Sequence, residues 1–352
     1  VRAVVVGAGY AAEGQIAAFR HLGLEAAAVC GRQAVVVEAF AERLGIAEAS
    51  TAWEATLRRV FPDVVCLATP AALREPVVRV ACELGCDVFC DKPLAATVAE
   101  AERMLAMVER AGVRHAYAAT RRYDPSVQAL ARWVREAPFG RPLSVDVNLQ
   151  SALVAPLPWS WVLDLAQGGG LLNNHFPHVM AILEAVLGGT VAQASGTAFF
   201  DIASAPVVPE IHDYREHVAR VEAMSPAEIA ALEHRPCDAD TRYTADLVVA
   251  TSWGEVPAAI RSGLGGASLW SWRFERGEVR ASGELSFELV AVPEGGFPLS
   301  LPVNSPLDGT GHPLGDRYAC LARAMLGLVD EPYPTFADGL WTQRAIAAIR
   351  GR

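Results

Sequence analysis

Lys92, in "FCDKPLAAT" (residues 89–97), is the only lysine among the chain's 30 Lys and Arg residues. Its type matters chemically. A compact ammonium gives up its proton when desolvated, whereas a guanidinium keeps its charge and its planar fork. A second pattern lies at the start of the chain, where Gly7-Ala8-Gly9-Tyr10-Ala11-Ala12 has the G-x-G-x-x-A spacing of a dinucleotide-binding turn. Gly7 permits the tight turn, Gly9 admits the pyrophosphate to the backbone, and Ala12 holds the helix against the strand. The helix N-terminus at Tyr10 and Ala11 would meet the phosphates. At the end of the next strand stands Cys30-Gly31-Arg32. An acid there would bind the ribose 2′-hydroxyl of NAD. Gly31 and Arg32 instead suit a 2′-phosphate held by charge-assisted bonds, which favours NADP(H) with NAD(H) as the alternative. Cys82, Cys86 and Cys90 recur every four residues, but the run crosses a helix end, a glycine turn and a strand, so the three do not share a face for metal.

These residues need a scaffold, and 352 residues at 52% hydrophobic and 20% charged can bury two substantial cores. The first third alternates strand and helix. The apolar run "VRAVVV" leads to the glycine turn and then to helical spacing through Ile16, Phe19 and Leu22. "EAAAVCGR", "DVVCLATP", "CDVFCD" and "RHAYAAT" predict further strands. Between them fall helices over "QAVVVEAFAERLGI", over about 15 residues from Ala71, and over Val98–Ala111 behind a Thr97/Glu100 capping box. Short connections between such units imply a doubly wound parallel sheet. No apolar run is long enough to span a membrane, and the first residues already form a strand, so a cytoplasmic protein is expected. Seven cysteines without framework spacing fit a reducing compartment. The net charge of −10 makes nucleic acid an unsuitable partner.

Taken in order, the G-x-G-x-x-A turn, "CLATP", "CDKPLA", "RRYDP", "GGGLLNNHFPH" and "YPTFADGL" resemble the Gfo/Idh/MocA oxidoreductases, the family of glucose-fructose oxidoreductase and inositol dehydrogenase. The resemblance covers nearly the whole chain. It implies an α/β protein: an N-terminal Rossmann domain over residues 1–122, and an α+β domain over 123–352 with a large open, mostly antiparallel sheet. It places Thr69, Pro70, Asp91 and Pro93 beside the cofactor, with a cis Lys92-Pro93 bond and Lys92 facing nicotinamide and reacting hydroxyl. Arg122 falls near the substrate. His178 matches the family's histidine. Hydride removal from an alcohol needs a base for the hydroxyl proton, which His178 would supply. Pro177 suits a first helical position, which would put His178 in the opening turn, where the helix's positive end and Lys92 favour a neutral ring. Asn174 stands where the family usually has aspartate, so it would orient substrate without adding charge. Phe176 and Ala181 replace the element's usual glycine and later aspartate. His175 and His178 form an H-x-x-H pair, yet no third ligand completes a metal site.

Beyond residue 142 the periodicity becomes extended, in "PLSVDVNL", "VAQASGTAFF", "YTADLVVATSW", "VPAAIRSG", "GASLWSWRFERG", "EVRASG" and "ELSFELVAV". Alternation in "LWSWRF" puts Trp270, Trp272 and Phe274 on one face, where packing outweighs stacking on substrate. Trp159 and Trp161, in an irregular segment ahead of the glycine-rich element, are candidates for the walls of a sugar or cyclitol pocket. Residues 203–242 form an acid-rich insertion with a Ser225–Glu228 capping box, readable as a lid, a subunit contact or a solvated excursion. "YPTFADGLWTQRAIAAIRGR" closes the chain as a turn and helix that in the family pack back near the first domain.

The expected substrate is a hydroxyl or ketone of a sugar, cyclitol or similar ring. An unsaturated-bond reductase would use the same cofactor with a different pocket, and a non-catalytic NAD(P) sensor is the alternative outside enzymes. Family members are often dimers or tetramers joined through the open sheet, so a homo-oligomer is expected.

Overall fold

Ala3 to Val6 are an unbroken apolar run because both faces of their strand are covered. The structure, a computed structural model, describes residues 1–151, 157–209, 219–284, 286–303 and 309–351. Strands β1 (Arg2–Val6), β2 (Glu25–Cys30), β3 (Ala49–Ser50), β4 (Val64–Leu67), β5 (Asp87–Cys90) and β6 (His115–Tyr117) pair in parallel, in the order β3-β2-β1-β4-β5-β6. Helices α1 (Tyr10–His21), α2 (Ala34–Leu44), α3 (Trp53–Val60), α4 (Arg74–Glu83) and α5 (Val98–Ala111) connect them. The strand order reverses between β1 and β4, and such sheets bind their ligands outside the carboxyl ends of the strands at that point. β3 and α3 are too short for a periodic pattern and emerge only here. The helix expected from Ala71 opens as a 3-10 turn, Ala71–Leu73, before α4. The Thr97/Glu100 capping box forms in both directions.

Helices α6 (Pro125–Glu136) and α7 (Leu171–Leu187) lie on a second sheet built from β7 (Pro142–Ser151), β8 (Thr190–Phe199) and later strands. A hairpin of β9 (Ser204–Pro206) and β10 (His234–Pro236) intervenes. The sheet then continues with β11 (Arg242–Thr251), β12 (Gly254–Leu264), β13 (Leu269–Phe274), β14 (Gly277–Ser282), β15 (Glu288–Pro293) and β16 (Leu299–Ser300), in the order β16-β15-β14-β13-β7-β12-β11-β8. Only β7 and β12 run parallel. Trp270, Trp272 and Phe274 are buried in its core with α7, in keeping with their packing role. The strand expected over "ELSFELVAV" begins only at Glu288, while the described residues before it form a turn. In the 203–242 insertion a short helix, α8 (Pro226–Ala230), carries the predicted Ser225–Glu228 box, and residues 210–218 fall outside the described part.

The chain's end ties both halves together. Helix α9 (Gly315–Met325) runs along α1, where a Cβ on Gly14 would come within 2.8 Å of Leu314 and 2.9 Å of Tyr318. Its Tyr318, Leu321 and Ala322 complete the apolar layer containing Ile16, Phe19 and Phe89. Helix α10 (Phe336–Arg350) packs against α5, α7 and β8, the return toward the first domain that the resemblance implied. Among the described residues no helix is long and apolar enough to cross a membrane.

Candidate active site

Every candidate cofactor residue lies at or beyond the carboxyl end of a strand in the first sheet. Gly7 follows β1 with φ +127°, its N–H donating to Cys30 at 2.8 Å, and a Cβ there would sit 2.5 Å from the Ala68 carbonyl oxygen. Only glycine fits that turn. Gly9 caps α1 with no capping side chain, and a Cβ on it would meet nothing within 4 Å. The approach to the α1 N-terminus at Tyr10 and Ala11 is therefore open on that side, the form a pyrophosphate cradle takes. Ala12 is fully buried against the sheet. Gly31 adjoins the turn, since its Cβ would lie 3.6 Å from that of Ala8, and the exposed Arg32 follows it. Thr69 and Pro70 follow β4; Asp91, Lys92 and Pro93 follow β5.

Arg74 joins these last two loops. It is 2% exposed and donates to the carbonyls of Thr69, Asp91 and Pro93. Three backbone acceptors in one buried fork leave the β4 and β5 loops little freedom. The Lys92-Pro93 peptide is cis, as the resemblance implied. Asp91 accepts from the Tyr318 hydroxyl at 3.1 Å. Lys92 Nζ donates to the backbone carbonyl of Asn174 at 3.2 Å. Burial pulls the Lys92 ammonium below its usual range, with Asp91 opposing and Arg74 and Arg121 adding to the effect.

Helix α7 corrects one expectation. Pro177 is not at its first position: the helix starts at Leu171, and Pro177 and His178 lie well inside it. The cause is a residue far away in sequence. Gly170 turns the chain with φ +100°, after which Asp240 accepts from the N–H of Leu171 through its carbonyl (2.8 Å) and from that of Leu172 through Oδ2 (2.7 Å). Arg350 Nε holds the same carboxylate at 2.7 Å. Capping from outside lets the helix begin before its proline. Consequently the helix's positive end is not what keeps His178 neutral. Burial comes first, followed by the charges of Lys92 and Arg121, and together they hold its imidazole well below the usual range.

Asn174, His175 and His178 share one face of α7. Asn174 Nδ2 turns back to the Gly170 carbonyl at 2.9 Å, so its amide is partly engaged. His175 Nε2 lies 3.2 Å from Glu284 Oε1, and burial, Lys92 and Arg121 push its pKa down to about 4. Of the "RRYDP" arginines, Arg121 is the one whose charge reaches Lys92, His175 and His178; it donates to Ser286 Oγ at 3.1 Å. Arg122 bears instead on Tyr123 and Glu184, and its carbonyl accepts from Gln128 at 2.5 Å. Trp159 packs with Leu157, Leu163 and Ala205, with its Nε1 on the Pro236 carbonyl (3.2 Å) and the Arg235 guanidinium 5.0 Å from its ring centroid. Trp161 opens a 3-10 turn whose Val162 carbonyl accepts from Gly170 at 2.7 Å. Sequence reasoning missed Arg74, Arg121 and Glu284. The resemblance pointed to Arg122 where the charge that reaches Lys92, His175 and His178 is that of Arg121, and Glu284 sits in what reads as a strand.

Two family profiles match the chain: "Oxidoreductase family, NAD-binding Rossmann fold" over residues 1–119, and "GFO/IDH/MocA C-terminal domain" over residues 127–222. The chain belongs to the Gfo/Idh/MocA oxidoreductase family. Among curated members of this family, a D-apiose dehydrogenase of Paraburkholderia graminis is 30% identical over 152 residues, 43% of this chain and 40% of that protein. A D-xylose dehydrogenase of Paenarthrobacter nicotinovorans is 28% identical over 173 residues, 48% and 45% of the two chains. The matched part of this Gfo/Idh/MocA chain thus spans less than half the length of these relatives. Its fold also matches an oxidoreductase domain protein from Kribbella flavida (TM-score 0.78, 24% identity, 99% and 95% coverage) and a levoglucosan dehydrogenase in complex with NADH and L-sorbose (0.79, 18%, 99% and 95%).

Proposed function

We propose that this protein is an NAD(P)-dependent dehydrogenase acting on a CH–OH carbon of a sugar or related cyclic polyol. One observation carries the reading. The bond from Lys92 to the Asn174 carbonyl sets the only lysine of the chain beside the face of α7 that bears His178, at the strand ends where the dinucleotide turn lies. Gly7, Gly9, Tyr10, Ala11 and Ala12 would hold the pyrophosphate, with Thr69, Pro70, Asp91 and Pro93 along the remainder of the cofactor. When bound, the nicotinamide supplies the two-electron redox partner. Lys92 hydrogen-bonds the reacting oxygen, and its desolvated ammonium stabilises negative charge developing there. His178, held neutral, takes the hydroxyl proton. Asn174 orients the substrate through Oδ1, with Arg121 or Arg122 and the Trp159–Trp161 segment toward its far side.

Gly31 and Arg32 favour NADP(H), with NAD(H) also accommodated; two similar D-xylose 1-dehydrogenases, from Haloarcula marismortui and Haloferax volcanii, carry NADP(+) in their names. A cytoplasmic location fits seven free thiols. A dimer or tetramer through the open second sheet, whose strand β8 is largely exposed, completes the reading.

Fluorescence titration with NADPH and NADH, followed by a screen of pentoses, hexoses, anhydrosugars and cyclitols, tests it. Tight binding and turnover of a member of the panel support it. Folded protein that binds neither dinucleotide would overturn it. Arg32→Ala should lower the NADPH-over-NADH preference about tenfold through loss of a charge-assisted pair.

A further inference from the structure

Oxidation of an alcohol frees two things. The carbinol hydrogen leaves with its electron pair to the dinucleotide, and the hydroxyl proton remains for the protein. On the reading above that proton arrives at His178, on a face of α7 crowded by cations. His178 is influenced by Lys92, Arg121, His175 and Arg317, and His175 by Lys92 and Arg121. An imidazolium cannot persist there, and with substrate and cofactor in the cleft the way out must be polar.

We infer that His175 and Glu284 are that exit, a relay that carries the proton from His178 to solvent. His175 stands three residues before His178, about one helical turn, on the same face. Its Nε2 is 3.2 Å from Glu284 Oε1, and exposure rises along the path from 12% for the His175 side chain to 33% for Glu284. A carboxylate accepts, so Nε2 carries the proton in this pair and Nδ1 is left as an acceptor. The Nδ1 atoms of both His175 and His178 are buried without a hydrogen-bond partner among the described residues. After His178 takes the substrate proton on Nε2, its Nδ1–H is a donor and the Nδ1 of His175 an acceptor; the two atoms are not bonded to each other in the resting structure, so the transfer between them requires a ring to rotate or a water to enter. His175 accepts at Nδ1 as it donates from Nε2; Glu284 takes that proton and releases it to water. No electrons move in these steps.

Glu284 is also held for the task. Gly283 turns the chain at φ +127°, and a Cβ there would overlap the Ser286 carbonyl oxygen. Beyond it, Ser286 Oγ donates to Asp124 Oδ2 at 2.5 Å and the Phe287 N–H to Ser126 Oγ at 2.8 Å. The turn is thereby fastened to the same Arg121–Asp124 segment that borders Lys92. Burial raises the Glu284 carboxyl above its usual range, with Arg121 opposing, which brings it nearer to the acidity a relay needs.

The first test is 15N-imidazole spectroscopy of the intact protein with dinucleotide, the signals assigned from His175→Gln and His178→Gln. Glu284→Met, which leaves no acceptor opposite Nε2, should move His175 away from the Nε2–H tautomer and shift the titration of both rings. An unmoved His178 overturns the relay, whether or not a substrate has been found. With whichever of D-xylose, D-glucose, levoglucosan or myo-inositol is turned over, Glu284→Ala should lower kcat about 10–100-fold, leave KM within about twofold, and recover with added formate. An unchanged kcat, or a loss that no small acid rescues, also overturns it. If the wild type turns over none of them, the dehydrogenase reading fails instead, and the spectra alone decide the coupling of His178 to Glu284.

Discussion

Lys92 and Asn174 are 82 residues apart, yet the lysine Nζ donates to the asparagine carbonyl at 3.2 Å. The bond runs from the β5 end of the first sheet to the second turn of α7, so the loop at the β5 end and the helix bearing His178 are in register only when both halves are assembled.

Lys92→Met and His178→Ala should each lower turnover by about 10²–10⁴-fold, the range of a positioned acid or base. Neither side chain holds the pyrophosphate turn, so NADPH affinity should stay within a few-fold. Steady-state kinetics paired with fluorescence titration would separate the two quantities; a variant with wild-type turnover would remove that residue from the mechanism.

Asp240 and Arg350 have side chains 0% and 7% exposed, and the aspartate also caps α7. Asp240→Ala leaves a buried guanidinium and the Leu172 N–H without their partner, while the backbone bond to Leu171 is kept, a loss of about 3–5 kcal/mol. Urea unfolding would measure it. Pairing Asp240→Asn with Arg350→Met should cost less than the sum of the single changes, because neither partner is then left charged and alone.

The two glycines of the dinucleotide turn should respond differently to alanine. Gly7→Ala forces a Cβ 2.5 Å from a backbone oxygen at a positive φ, costing about 1–3 kcal/mol or more and displacing β1 from β4. Gly9→Ala meets nothing within 4 Å, so its melting temperature should hardly move while NADPH affinity falls. A Gly9→Ala protein that binds cofactor normally would contradict the pyrophosphate assignment.

Acid should destabilise the protein through α7. The folded pKa of His175, about 4, and that of His178 lie below the 6.5 of a free imidazole, so the unfolded chain binds more protons within that interval. The His175 contribution is complete above about pH 6.5 and is lost as pH falls toward 4, by up to about 1.4 kcal/mol per pH unit, and the His178 contribution falls in the same direction below pH 6.5. Glu184 acts oppositely: burial raises it from 4.5 to about 7, and its contribution is lost as pH rises across that span. Comparison with His175→Gln isolates the imidazole part. Between pH 6.5 and 4.5 the variant should lose stability less steeply than the wild type, and equal slopes would show that His175 is not depressed.

The parallel sheet, the dinucleotide turn, the two capping boxes and the buried Trp270–Phe274 face were legible because each is local. Apolar runs bounded by glycine, a hydroxyl three residues before a glutamate, and a two-residue alternation depend on neighbours within a few positions. Lys92 stood out by type alone, and His178 through the glycine-rich element.

What the sequence determined was which groups exist and which segment carries each. Only the assembled structure decided where α7 begins, because Asp240 caps it from 68 residues beyond Leu172. It also decided which of two adjacent arginines turns toward Lys92, and it set Glu284 against His175. A side chain's local pattern fixes its element, but its partner is fixed by packing between elements distant along the chain. The burial that shifts Lys92, His175 and His178 exists only once those elements have closed over them.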